Sequence, residues 1–185
     1  MKAVIAWAVC VLLIGLIAVG TFRAVSSVAS SKKRQMRQEG TQKMASGDYA
    51  GAIEDFDAAL EKSGKRSKGF NSDVLMYRAE AEYKLRDYEA SIHTYDLLLE
   101  MEPSTASYLY AQSMCYSQMG DTENAVVKYQ AGAALEKDAK ASAGKMEALV
   151  AAGGAYVDAK EYEKAMGFYQ DALKEGMKHG QIYNQ

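Results

Sequence analysis

One phrase recurs four times along this chain, and it limits the fold more than any other feature. Gly47-Asp48-Tyr49 precedes Ala52-Ile53 and Phe56, and Arg86-Asp87-Tyr88 precedes Ser91-Ile92 and Tyr95. Gly120-Asp121-Thr122 precedes Ala125-Val126 and Tyr129, and Lys160-Glu161-Tyr162 precedes Ala165-Met166 and Tyr169. The small residue stands at positions 52, 91, 125 and 165, giving intervals of 39, 34 and 40. Self-similarity at such a period marks an array of supersecondary units, here of about 34 residues with short insertions between some of them. The units should be helical. There is one proline in 185 residues, and a proline would break a helix interior, while helix-forming Ala, Glu, Lys, Leu, Gln and Met abound.

With the units in register, small residues line up. Unit one has Gly40, Ala52 and Ala59; unit two has Ala79, Ser91 and Leu98; unit three has Ser113, Ala125 and Gly132; unit four has Gly153, Ala165 and Ala172. Small residues let helices approach closely, and Phe56, Tyr95, Tyr129 and Tyr169 fill the gaps. Glu102-Pro103 closes unit two, since proline cannot continue a helix. In these residues the chain resembles the tetratricopeptide repeat family. The resemblance implies an all-α superhelix of antiparallel helix pairs, with four repeats at 33–66, 72–105, 106–139 and 146–179. Leu98 departs from the pattern by its size, and Glu39 and Arg78 by replacing a preferred apolar residue. Residues 180–185, with Ile182 and Tyr183, read as the start of an incomplete further repeat or a cap.

Ahead of the repeats, Ala3 to Phe22 form a run of 20 residues without a charge. As a helix it would span roughly 30 Å, the hydrocarbon thickness of a bilayer, and Trp7 suits an interfacial anchor. The expectation is a transmembrane signal anchor at 3–22 and a Ser/Ala-rich linker at 23–32. Two processing alternatives stay open: cleavage as a signal peptide near Ser27-Val28-Ala29, and lipid modification of Cys10. Beyond the run stand Arg23, Lys32, Lys33, Arg34 and Arg37, a membrane-proximal basic group able to rest on anionic lipid. The positive-inside rule favours a cytoplasmic position for the repeats, modestly, because most of these charges lie about ten residues or more from the run. The general look of envelope-attached bacterial repeat proteins argues for the other side.

No acidic residue occurs before Glu39, so the first 38 residues carry +6 and the remainder −8. An acidic array is a poor nucleic-acid binder, which needs clustered Lys and Arg. Cys10 and Cys115 have neither metal spacing nor a pairing logic. His93 and His179 are too few for a metal site and have no partners for a triad. No catalytic, cofactor-binding or metal-ligating residues are expected.

Binding is the remaining activity. In the family it resembles, first helices line a concave groove. The facing positions here are Met76, Glu80 and Tyr83 in unit two, Tyr110, Met114 and Ser117 in unit three, and Val150, Gly154 and Val157 in unit four. Met and Tyr give adaptable, amphipathic contact area. Some members of that family clamp acidic chaperone tails. The matching positions hold Arg37, Thr41, Tyr77, Ser107 and Ala111, of which only Arg37 fits, so a chaperone-tail receptor is not expected. The reading is a membrane-tethered scaffold for a protein or peptide partner. The alternative is an exported cell-envelope protein, anchored or cleaved, that assists assembly of surface structures. Self-association through the C-terminal end is a further possibility for the array.

Overall fold

A computed structural model of the chain describes residues 30–64, 67–136 and 143–174. The apolar run at 3–22, the linker residues before 30, Lys65 and Arg66, His179 and the segment 180–185 lie outside the described residues. Within them every regular element is an α-helix: α1 (residues 30–46), α2 (Tyr49–Ser63), α3 (Lys68–Lys84), α4 (Tyr88–Met101), α5 (Ala106–Gln118), α6 (Thr122–Leu135), α7 (Lys145–Asp158) and α8 (Tyr162–Lys174). None of them is long and apolar enough to cross a membrane.

The recurring phrase is a stop signal followed by a start signal. Gly47, Arg86, Gly120 and Lys160 adopt left-handed φ of 83°, 65°, 75° and 62°. At each, the next residue's N–H reaches back five residues: Asp48 to the Lys43 carbonyl, Asp87 to Glu82, Asp121 to Tyr116 and Glu161 to Tyr156, at 2.8 to 3.0 Å. This is the Schellman closure of a first helix. The following aspartate then opens the second helix. The carboxylates of Asp48, Asp87 and Asp121 accept from the N–H groups of Gly51, Ala90 and Asn124 at 3.0 to 3.1 Å, and such an N-cap stabilises by about 1 kcal/mol. In the fourth unit Glu161 replaces the aspartate and pairs instead with Lys164 of the same turn.

Helices pack as antiparallel pairs, α3 with α4, α5 with α6 and α7 with α8, and each pair stacks on the next through α2 on α3, α4 on α5 and α6 on α7. Gly40, Ala52, Ala59, Ala79, Ser91, Ser113, Ala125, Gly132, Gly153, Ala165 and Ala172 are all buried. In the outer pairs a ring takes the place of a side chain. A Cβ on Gly40 would stand 2.5 Å from the Phe56 ring, and one on Gly153 would stand 2.5 Å from Tyr169. In the inner pairs a hydroxyl crosses between the helices. Ser91 Oγ donates to the Ala79 carbonyl at 2.9 Å, and Ser113 Oγ donates to the Ala125 carbonyl at 2.7 Å. Serine and alanine exchange helices between the two units, yet the same gap is bridged.

Arg78 explains its departure from the family pattern. Its guanidinium pairs with Asp57 of α2 at 2.8 Å and Glu82 of α3 at 3.2 Å, and donates to Thr94 Oγ1 of α4 at 2.7 Å. Thr94 in turn donates to Glu82 at 2.7 Å. Burial raises the Glu82 carboxyl above its ordinary pKa, and Thr94 and Arg78 oppose that shift.

The stacking is uneven. α5 and α7 lie side by side, whereas α3 and α5 barely touch. Fully buried Leu98 of α4 packs with Leu75 of α3 and Tyr108 of α5. Burying a leucine stabilises by about 1.5–3 kcal/mol, so this side chain both fills the seam and holds it open. At its base the Glu102 carboxylate accepts from the Ser72 hydroxyl at 2.7 Å and the Tyr108 hydroxyl at 3.1 Å, linking α3 to α5.

Candidate functional site

Three hollows follow one another along the first helices. The first, about 300 Å³, lies between α3 and α5 and is lined by Asp73, Met76, Tyr77, Glu80, Ser107 and Tyr108, with Tyr95 of α4 at its floor. The second, about 200 Å³, adds Tyr83, Lys84, Ala111 and Met114 while keeping Glu80 and Tyr95. The third, about 450 Å³, shares Tyr83 and Met114 and continues over α5 and α7 along Ser117, Glu147, Val150 and Asp158. Shared lining makes them one trough. It opens where Leu98 separates α3 from α5, and it then crosses the closed face of α5 and α7.

Helical spacing puts Met76, Glu80 and Tyr83 on one face of α3, and Glu147, Val150, Ala151, Gly154 and Asp158 on one face of α7. Met76 is 48% exposed, and Tyr83 and Met114 are half-buried. Burial pushes the Tyr83 hydroxyl above its ordinary pKa, with smaller contributions from Cys115 and Tyr88. The Tyr95 hydroxyl is raised further by the same cause. The Tyr108 hydroxyl is pushed up to about 12 by burial and by its bond to Glu102. These phenols stay protonated at neutral pH, and the proton of Tyr108 is already given to Glu102.

The trough has a sign. Among the described residues, Asp73, Glu80, Glu147 and Asp158 line it against one cation, Lys84. Asp73 is neutralised by Arg37, at 2.7 Å. Glu80, Glu147 and Asp158 form no ion pair among the described residues.

Of the facing positions expected from sequence, the trough gathers Met76, Glu80, Tyr83, Met114, Ser117, Val150 and Gly154. Ser117 is 8% exposed, and its hydroxyl donates to the Ser113 carbonyl at 2.9 Å. Tyr110 is a correction, because it is fully buried and presents nothing to a partner. A Cβ on Gly132 would stand 2.7 Å from its ring; the glycine leaves a slot that draws the tyrosine inward, against Ala148 and Tyr129. Val157 is half-buried and lies outside the three hollows. The α7 face runs through 147, 151, 154 and 158 instead, which a four-residue step forward from Gly154 and three-residue steps back from Val150 and Gly154 locate.

The basic group is also revised. Lys33 Nζ donates to Ser67 at 2.8 Å and sits 4.4 Å above the Phe70 ring. Arg37 makes two bonds to Asp73 and lies 4.9 Å from the Tyr77 ring. Arg34 donates to Ser30. Two of the cations expected to face lipid are thus spent inside the array, and Arg37 is tied up as a clamp residue too. Lys32 stands exposed, and Arg23 lies outside the described residues.

Chemistry has little to work with. The Cys115 thiol is buried and pushed up to about 11, so no thiolate forms at neutral pH. His93 is exposed. Among the described residues no three His, Cys, Asp or Glu are grouped to hold a metal ion.

Residues 37–104 and again 77–144 match the family model described as tetratricopeptide repeat, and the two spans together exceed half the chain. Among solved structures the fold is similar to YrrB, described as a TPR protein with an unusual peptide-binding site, with 17% identity, a TM-score of 0.65, and coverage of 91% of this chain and 85% of that one. It is similar to MamA, residues 41 to the end, from Desulfovibrio magneticus RS-1, with 14% identity, a TM-score of 0.63, and coverage of 78% and 75%. A tetratricopeptide repeat protein from Parabacteroides merdae ATCC 43184 matches with 18% identity, a TM-score of 0.63, and coverage of 82% and 56%. Identities this low speak for the fold alone. No curated protein sequence matches the chain.

Proposed function

Since this chain belongs to the tetratricopeptide repeat family, we propose that it is a membrane-tethered scaffold that holds a protein or peptide partner in the trough along α3, α5 and α7. The observation that carries this reading is the continuity of the three hollows, which offer half-buried Tyr and Met between carboxylates. The fold alone names no ligand; the exposed, chemically mixed lining supports binding over chemistry. A photo-crosslinking residue at Met114 should capture the partner in intact cells, while the same residue at Gln130, exposed on α6, should not. Equal capture at both positions, or capture at Gln130 alone, would move the interface off the trough.

The tether rests on the 20-residue uncharged run from Ala3 to Phe22. Protease protection of a C-terminally tagged chain reads its side and its survival together. A protected full-length chain places the repeats in the cytoplasm. Digestion of a membrane-bound full-length chain supports the exported, envelope-assembly alternative. A band already shortened by about thirty residues means signal-peptide cleavage and removes the anchor.

Self-association is a second reading with its own observation. α8 leaves Tyr162, Met166 and Leu173 61%, 58% and 42% exposed on one face. Met166→Lys should lower the sedimentation coefficient at high concentration if copies meet there; concentration-independent sedimentation of the parent chain rules it out.

A further inference from the structure

We infer that the occupant of the trough is an extended peptide segment in which Lys or Arg side chains flank one apolar side chain. This rests on the trough being the binding site and adds the chemical class of what it takes.

The middle hollow is the most apolar, with Tyr83, Tyr95, Ala111 and Met114 around about 200 Å³ and with Glu80 and Lys84, four residues apart on α3, at its edge. That suits a single side chain of leucine or phenylalanine kind. On one side of it the large hollow carries Glu147 and Asp158 and, among the described residues, no cation. On the other side Glu80 lines the hollow in which Asp73 is already neutralised by Arg37. Three carboxylates therefore flank the pit, and none has an ion-pair partner among the described residues. Unpaired carboxylates at the rim keep their hydration until a cation arrives, so they add attraction and long-range steering without a buried-charge penalty. An acidic segment would meet like charge at both ends, which is how such a surface rejects wrong partners.

Geometry sets the spacing. Packed helices stand about 8–10 Å apart, and an extended chain rises about 3.3 Å per residue. Because Leu98 holds α3 off α5, a segment crossing from α3 past α5 to α7 uses at least about six residues, with the cations about three positions either side of the anchor.

The test uses the full chain and three sets of fluorescein-labelled nonapeptides with a central leucine flanked by lysine, glutamate or glutamine. Fluorescence anisotropy should give the lysine set at least about tenfold tighter affinity than the glutamate set, as expected for two or three partly exposed charge contacts. That advantage should grow as salt is lowered. Glu147→Gln with Asp158→Asn should weaken the lysine set about tenfold and leave the glutamine set unchanged, with circular dichroism confirming an intact fold. Met114→Ala should weaken all three sets. Equal binding of the sets, or tighter binding of the glutamate set, overturns the charge class while sensitivity to Met114→Ala preserves the trough. Binding that ignores both Met114→Ala and the carboxylate variants places the peptide elsewhere and overturns the trough reading as well. Absence of binding by every set overturns the inference.

Discussion

The seam between α3 and α5 and the seam between α5 and α7 are built from equivalent positions with opposite results. The second helix supplies Leu98 to the first seam and Gly132 to the second. Around Leu98 the first helices stand apart, and Met76 stays in the trough at 48% exposure. Over Gly132 the residue equivalent to Met76, Tyr110, folds inward and is fully buried, and α5 closes on α7. One side chain per unit thus decides whether the next first helix is held off or drawn in. The repeat is a template, and the trough is shaped by deviations from it.

The strongest way to break the comparison is Leu98→Ala. A fully buried leucine at the junction of two units should cost about 2–5 kcal/mol, depending on how far α3 and α5 collapse into the space. Urea unfolding reads the loss. A cost below about 1 kcal/mol would mean that Leu98 is no wedge.

Gly132→Ala should come next. The added Cβ meets the Tyr110 ring at 2.7 Å. Overpacking costs about 1–3 kcal/mol, and the helix propensity of alanine returns about 1 kcal/mol. The net destabilisation should be at most about 2 kcal/mol, with a changed near-ultraviolet circular dichroism signal as the ring is evicted. Combining it with Tyr110→Ala should cost less than the sum of the two, because both act on one contact. Strict additivity would sever Gly132 from Tyr110.

A smaller change of opposite sign is expected at Arg86. Its φ of 65° places a side chain where glycine is at ease, at a cost of about 1 kcal/mol. Arg86→Gly should stabilise by no more than about 0.6 kcal/mol, less than the full relief, because glycine also frees the unfolded chain. Gly120 already occupies that position in the next unit, so the same change sharpens the comparison by removing a difference that has nothing to do with the seams.

The weakest effect is one of pH. The Ser72 hydroxyl, and after it that of Tyr108, hold the Glu102 carboxyl below its ordinary pKa. Its contribution is therefore present above the ordinary carboxylate range and is lost as pH falls through the lowered value. Urea midpoints measured from pH 7 down to 3 should fall more for the parent chain than for Glu102→Gln. Parallel curves would mean that the bridge across the α3–α5 seam contributes nothing.

The fold was legible because its punctuation is local. A left-handed residue, a capping aspartate and a small residue at fixed offsets mark the first three units, and the fourth keeps the mark with Glu161 in the aspartate's place. Much of the trough was legible for the same reason, as Met76, Glu80, Tyr83 and Met114 follow from helical spacing. What escaped depended on residues distant in sequence. Tyr110 occupies the register of a facing residue, and only Gly132 turns it inward. Arg37 and Lys33 look like lipid-facing cations until Asp73, 36 residues away from Arg37, and Ser67 claim them. Arg78 looks like a packing fault until Asp57, Glu82 and Thr94 surround it. Glu147 and Asp158 were missed because the α7 face was read through Val157, one residue off the line that reaches the trough.

Glu102 gives the open seam a mechanical character. Two first helices kept apart by a leucine and joined at one end by a carboxylate have the build of a hinge with a catch, while the packed α5 and α7 are expected to move together. Bending of the array is expected to concentrate at that hinge, so a ligand of greater girth could be admitted by opening a few ångströms there and nowhere else. Spin-label distances from Met76 to Ser107 should then be broader than those from Met114 to Val150, and acid, by weakening the catch, should broaden the first pair and leave the second alone.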